Sequence, residues 1–160
     1  MIEQFGQFAL ALRKLILGGG AGSAAVKQQL RSLAQHAGLD LEIAGVATAD
    51  TLALLLAPGG ELEPGRCWMY AETLYLDGLD AELSSESDRA CDSYRKARLL
   101  FSMVAPLGAF LVGFPEAATR IKEIDRRISE LAREDEDDPT GGIVHHRRIR
   151  RRRTAGRRGG

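Results

Sequence analysis

The stretch WMYAETLYLDGLDAELSSESDRACDSYRKARLLF, residues 68–101, decides the predicted fold of this chain. In its second half, residues with apolar rings or small side chains recur at steps of four, three and four, so they lie on one face of a helix. The first half has mostly small residues at similar steps, which lets two helix backbones approach closely. We therefore predict an antiparallel helix pair. The two faces are Ala90, Tyr94, Ala97 and Phe101, and Cys67, Ala71, Leu74, Gly78 and Ala81.

A short polar segment, residues 84–88, separates the two predicted helices. Ser85 is predicted to cap the second helix, because its side-chain oxygen can accept a hydrogen bond from a free N–H group of the first turn. Asp88, three residues later, places a negative charge near the positive end of the helix dipole.

The helix pair carries part of the tetratricopeptide repeat pattern. Three positions depart from it: Ala81 stands where the repeat prefers tyrosine, Ser85 stands where it prefers glycine, and Pro106 comes later than the expected proline. The residues that match the spacing of the repeat are Gly78, Ala90, Tyr94 and Ala97.

Residues 2–131 resemble an uncharacterised bacterial family of tetratricopeptide-like helical proteins. The resemblance implies that an N-terminal helix and a helix-rich linker precede the repeat, and it implies no activity. It depends on Ile2-Glu3-Gln4, on the leucine run Leu52–Leu56 followed by Gly59-Gly60, and on the ungapped stretch Ala71–Ala97.

Length and charge divide the chain into one domain and a tail. With 160 residues and 44% hydrophobic content, the chain can bury a core. The net charge is zero, but residues 134–160 hold eight of the 22 basic residues and five of the 22 acidic ones. We predict a helical domain over residues 1–133 and a disordered, acidic and then arginine-rich tail over residues 134–160, because like charges repel and few apolar groups remain there.

Hydrophobic spacing along the rest of the domain predicts an all-α bundle of about six helices. A glycine run ends the first helix, Ser23 is expected to cap the second, and Pro64 is expected to open the long first helix of the pair. The alternating segment Leu39–Ile43 has no partner strand and is predicted to be a connection. The other predicted helices are 2–17, whose stripe Phe8 and Leu15 widen, 24–37, a short helix over Leu52–Leu56 with its leucines in the core, and a last helix from Pro115 with the stripe Ala117, Ile121, Ile124, Ile128 and Leu131.

Trp68 and Tyr75 are the candidate partner-binding side chains. They lie two turns apart on one side of the long helix, offset from its small-residue face. One interpretation packs them on the preceding leucine helix. The other leaves them in a solvent-facing aromatic groove that receives a partner peptide.

The stretch Leu99–Phe114 is almost wholly apolar. Its sixteen residues are fewer than the roughly 20 that cross a bilayer, and Pro106 and Gly108 interrupt the helix. We predict a buried helix end followed by an apolar bend, with no membrane partner. The excess of apolar surface also makes a homo-oligomer a candidate assembly.

The sequence offers no constellation for catalysis, and we expect no enzyme, cofactor or metal site. The glycine run before Ser23 lacks the Lys-Ser/Thr of a phosphate-binding loop. His36 is the only histidine of the domain and has no ligand partner at metal-binding spacing. Cys67 and Cys91 lie in helical patterns without a secretory leader, so we expect reduced thiols in the cytoplasm.

Six arginines near the end of the chain are candidate anion- or nucleic-acid-binding residues. Arginine clusters attract phosphates electrostatically but carry no sequence specificity, and no aromatic residue is interleaved for base stacking. A solvated, silent extension is the alternative. The six are Arg147, Arg148, Arg150, Arg151, Arg152 and Arg153.

Two function hypotheses follow. In the first, the helical domain is a non-enzymatic, cytoplasmic protein–protein interaction scaffold or adaptor for an unidentified protein partner. In the second, the chain is a nucleic-acid-binding accessory protein whose arginine tail holds phosphates. Binding that survives removal of the tail favours the first hypothesis, whereas steep salt dependence favours the second.

Overall fold

The computed structural model describes residues 1–57 and 59–137, which form seven α-helices and no strand. The all-α prediction is therefore confirmed over this part of the chain. A π-helical turn, Ile16–Gly20, extends the first helix, and a 3-10 turn, Ala105–Leu107, extends the sixth. The helices are α1 (Ile2–Leu15), α2 (Ala24–Ala37), α3 (Leu41–Val46), α4 (Ala49–Leu56), α5 (Pro64–Leu83), α6 (Ser87–Val104) and α7 (Ala117–Asp137).

Helix α7 is longer than predicted. It continues through the acidic residues 134–137, which we expected in the disordered tail. Glutamate is a good helix former, and no proline or glycine follows until Pro139. The remaining tail, including the six candidate arginines, lies outside the described residues.

Contacts divide the chain into two units after Asp125, inside α7, so the term "body" below means residues 1–125.

The helix pair α5–α6 is antiparallel and its predicted faces are buried. Asp80 pairs with Arg89, Asp77 with Ser93, and Cys67 with the carbonyl of Leu100, so positions late in α5 meet positions early in α6. The nine predicted face residues are all buried.

Gly78 of α5 and Tyr94 of α6 lie in close contact where the two helices meet. A Cβ atom added at Gly78 would lie 2.6 Å from the Cδ1 atom of the Tyr94 ring. The same ring lies 6.2 Å from the ring of Tyr75, and the Tyr94 hydroxyl hydrogen-bonds the carboxylate of Glu82. The absence of a side chain at Gly78 is therefore what makes room for the ring.

Helix α5 is the central element of the body. Every residue from Cys67 to Ala81 is buried, and α1, α2 and α6 all pack against the helix. A helix enclosed in this way is normally apolar all round. This one carries Glu72, Thr73, Asp77 and Asp80 in its buried part, so each polar group needs a partner from a neighbouring element.

Several helix ends form as the local sequence predicts. The Ser23 hydroxyl accepts from the N–H of Val26 at 3.1 Å and caps α2. Gly38 ends α2 with φ +79°, a left-handed conformation that glycine adopts without strain. Pro64 lies in the first turn of α5, where its missing N–H costs nothing.

The predicted cap at Ser85 is wrong. Ser85 has φ +61°, and α6 begins only at Ser87 without any side-chain cap. The N–H of Glu86 instead bonds the carbonyl of Ala81 at 2.9 Å, which closes the carboxyl end of α5. Ser85 therefore takes the left-handed position that ends the first helix of the pair.

The predicted connection at Leu39–Ile43 is also wrong from Leu41 onward. A carboxylate oxygen of Asp40 accepts from the N–H groups of Glu42 and Ile43 at 2.9 and 3.2 Å. This cap starts α3, a helix too short to show a helical period in the sequence.

Not all the leucines predicted in the core are there. Leu52 and Leu56 are buried, but Leu54 is 73% exposed and Leu55 is 57% exposed. Helix α4 has eight residues and buries the face defined by the four-residue step, which leaves the other leucines in solvent. Leu15, predicted to widen the α1 stripe, is exposed for the same reason.

The apolar bend after α6 is confirmed. The helix ends at Val104, and Phe114 turns back into the core while Leu107 and Val112 stay exposed. In the described ranges, no helix combines the length and apolar character that crossing a bilayer requires.

Candidate functional site

The two aromatic side chains predicted as a partner-binding pair are core residues. Trp68 is 1% exposed and Tyr75 is 0% exposed, so the hypothesis of a solvent-facing aromatic groove is wrong for both. Trp68 packs edge-on against Phe5 and Phe114, with ring centroids 5.6 and 5.1 Å away. It thus joins α1 to the bend after α6, because a large ring gains most free energy when it is fully buried.

Tyr75 belongs to a buried ionic cluster, formed with Glu72, Arg120 and Glu123. Arg120 donates to both carboxylate oxygens of Glu72 at 2.9 and 3.3 Å, and its guanidinium lies 4.1 Å from the centre of the Tyr75 ring. The Tyr75 hydroxyl donates to Glu123 at 2.6 Å. Burial raises the pKa of Glu72, and the charge of Arg120 opposes that shift. The cluster satisfies the buried polar groups of Glu72 and Arg120 inside the body.

A polar groove of about 430 Å³ lies between α2, α3 and α6. A neighbouring cavity of about 420 Å³ shares Arg31, Leu41 and Glu42 with it and continues toward Gly38. The polar groove is lined by Lys27, Leu30, Arg31, Leu41, Glu42, Gly45, Asp77, Arg89, Asp92 and Ser93.

A hydrogen-bond network fixes the floor of the polar groove. Ser93 donates to Asp77 at 2.6 Å, and Arg89 donates to Asp77 at 2.7 Å and to Asp80 at 3.2 Å. Asp80, fully buried, also accepts from the N–H of Gly22 at 2.7 Å. Burial lowers the pKa of Arg89, but hydrogen bonds to carboxylates outweigh this and raise it above its ordinary value. The Arg89 guanidinium therefore stays charged, and its hydrogen bonds fix the geometry of the floor.

Lys96 fastens α3, one wall of the polar groove, to α6. Its ammonium group donates to the carbonyls of Ala44 and Gly45 at 2.8 and 3.2 Å and to Asp92 at 2.6 Å. The lysine side chain is only 5% exposed. A buried ammonium is stable only with such partners, so it ties the last turn of α3 to the body.

The lining of the polar groove suits recognition better than chemistry. It carries three cations and three carboxylates, and the serine hydroxyl donates to a carboxylate without any histidine nearby. Among the residues with described positions, no three His, Cys, Asp or Glu side chains gather as a metal site. The thiol of Cys67 is buried, which raises its pKa to about 11 and keeps it protonated.

Exposed apolar side chains lie on the two short helices α3 and α4, of which α3 forms a wall of the polar groove. On α3, Ile43 is 56% exposed and Val46 is 88% exposed, and Leu54 and Leu55 project from α4. Large apolar groups in solvent next to fixed charges resemble the mixture found in protein–protein interfaces.

Sequence reasoning missed the polar groove. The available signal was the placement of Asp77 and Asp80, three residues apart, in a mostly apolar helix, and of Asp92 four residues before Lys96. Both patterns mark polar groups that need partners from another element.

Comparison with known proteins gives no assignment, because the chain matches no protein-family model, no curated protein and no solved structure.

Proposed function

We propose that the chain is a non-enzymatic interaction scaffold that binds a protein partner in the polar groove. The observation that supports this is the groove itself, whose floor of paired charges is fixed by hydrogen bonds and whose α3 wall carries exposed Ile43 and Val46 on its outer face. Rigid, preorganised surfaces bind with a smaller entropic cost than mobile ones. The tetratricopeptide-like character of α5–α6 and a cytoplasmic location belong to the same proposal.

A polypeptide segment fits the polar groove better than a compact small ligand. The groove and the neighbouring cavity form a path along α2 and α3 with charges of both signs, and small-molecule sites are more enclosed and more apolar. Apolar anchors surrounded by polar contacts are typical of protein interfaces. A second copy of the chain is one such partner, so size measurements accompany the binding experiments.

The nucleic-acid hypothesis keeps one supporting observation, the six arginines between residues 147 and 153. If they hold phosphates through about four to six contacts, affinity for nucleic acid falls steeply as salt rises, with a log–log slope of roughly −3 to −5. We expect this slope for the full chain only. A filter-binding titration of the full chain and of the chain ending at Asp137, at several salt concentrations, measures it.

Affinity capture with matched variants tests the scaffold proposal. Arg31→Glu reverses a 58%-exposed charge in the polar groove without touching the core. Lys122→Glu reverses an exposed charge on α7, outside the groove. We expect a partner that the Lys122 variant and the chain ending at Asp137 retain and that the Arg31 variant loses by about tenfold or more. A partner retained equally by all three proteins contradicts binding in the groove.

A further inference from the structure

We infer that α3 is a gate of the polar groove, a wall that unfolds locally and is held closed by Lys96. This inference rests on the proposed function for its purpose, but the motion belongs to the chain alone. The inference follows from two features of α3: its two ends are attached to the body by different contacts, and its outer face is exposed to solvent.

Helix α3 has little stability of its own. It has six residues, and Ala44 is its only buried one. An isolated helix of fewer than about 12 residues is marginal in water. The outer face exposes Ile43 and Val46 to solvent, so apolar burial contributes little to keeping the helix folded.

The two ends of α3 are held differently. Before the helix, the Tyr70 hydroxyl donates to the carbonyl of Gly38 at 2.8 Å and Leu39 is buried, so the chain is anchored to α5. At the other end, the Lys96 ammonium is the contact that reaches Ala44 and Gly45. Loss of these bonds removes the polar contacts of Ala44 and Gly45 with α6 and leaves the small buried side chain of Ala44 on the last turn, while the first end stays anchored.

Unfolding of α3 supplies the chain length that a gate requires. The link from α3 to α4 is already extended at Ala47, with φ −72° and ψ 149°, so it has no slack while α3 is helical. A helical residue advances about 1.5 Å and an extended one about 3.3 Å, so unwinding one turn lengthens the segment by several ångströms. Gly45 then leaves the wall, and the polar groove widens at that end.

Amide hydrogen exchange of the full chain, without any partner, tests the gate. In the unmodified chain, we expect the amides that donate the hydrogen bonds of α3, those of residues 44–47, to exchange at least about tenfold faster than the amides of α5 and α6. Lys96→Met keeps the aliphatic stem and removes the ammonium. It should speed exchange at 44–47 by a further factor of about ten, because charge-assisted hydrogen bonds to two carbonyls are lost.

Two further variants complete the test. Arg95→Met removes an exposed cation next to Lys96 on the same helix and should change nothing. Asp40→Ala removes the cap from the first, exposed end of α3. It should also speed exchange of the α3 amides and leave exchange in α5 and α6 unchanged. This variant keeps the test valid if Lys96→Met fails to fold. The gate is refuted if α3 exchanges at the same rate as α5 and α6, if a folded Lys96→Met variant leaves exchange at residues 44–47 unchanged, or if Asp40→Ala leaves it unchanged. Since no partner is present, neither result bears on the capture experiment.

Discussion

Gly78→Leu is expected to abolish cooperative folding of the body or to lower its free energy of unfolding by more than about 3 kcal/mol. Even the first added carbon would lie 2.6 Å from the Tyr94 ring, which Tyr75 and Glu82 hold in place. The helix pair must then separate, and α5 loses the neighbour that covers it. Chemical denaturation followed by circular dichroism measures the loss.

Gly18→Leu is the matched control for this substitution. No atom lies within 4 Å of a Cβ added at Gly18, so the same change should alter stability by less than about 1 kcal/mol.

Removing the Tyr94 ring should restore part of the stability that Gly78→Leu loses. The double variant Gly78→Leu, Tyr94→Ala should be more stable than the sum of the two single effects predicts, by at least about 1 kcal/mol. Purely additive effects would mean that the two residues do not meet.

Arg120→Met should destabilise the body by about 3–5 kcal/mol, because it leaves the carboxylate of Glu72 buried without its cation. The two side chains are 4% and 1% exposed. Arg126→Met breaks an ion pair on the same helix whose side chains are 57% and 42% exposed, and it should cost less than about 1 kcal/mol. Equal losses in the two variants would contradict the burial of the Glu72–Arg120 pair.

The loss in the Arg120 variant should depend on pH. Burial raises the pKa of Glu72 even when Arg120 opposes it, so without Arg120 the pKa in the folded state rises further above its ordinary value. The folded state then favours the protonated acid. The contribution to stability is fully present below the ordinary pKa and disappears as pH rises through the raised value. Arg120→Met should therefore lose stability as pH rises above the ordinary carboxyl range, and the double variant with Glu72→Gln should not.

The parts of the fold that the sequence predicts are those that depend on local spacing. Helical steps of three and four place Gly78 opposite Tyr94, and Ser23, Gly38 and Pro64 mark helix ends through backbone hydrogen bonds within a few residues. Such features need no knowledge of distant contacts. They are enough to predict the α5–α6 pair, which forms the centre of the body.

The polar groove could not be predicted in the same way. Its wall depends on Lys96 reaching the carbonyls of α3, more than fifty residues earlier in the chain, and its floor on Asp80 reaching Gly22. Neither separation leaves a periodic signal in the sequence.

Trp68 was a candidate partner-binding residue and is instead buried. An aromatic side chain has the same sequence signature whether a neighbouring helix of the same chain or a partner protein covers it.

Photo-crosslinking from the polar groove tests most directly whether this surface binds a protein. A photoreactive amino acid replaces Glu42, an 81%-exposed residue of the groove, and in a second protein it replaces exposed Lys122 on α7. In cells, we expect a protein adduct from position 42 that persists in the chain ending at Asp137, disappears with Arg31→Glu and is absent from position 122. No adduct at position 42, or equal adducts at both positions, would contradict a binding role for the polar groove.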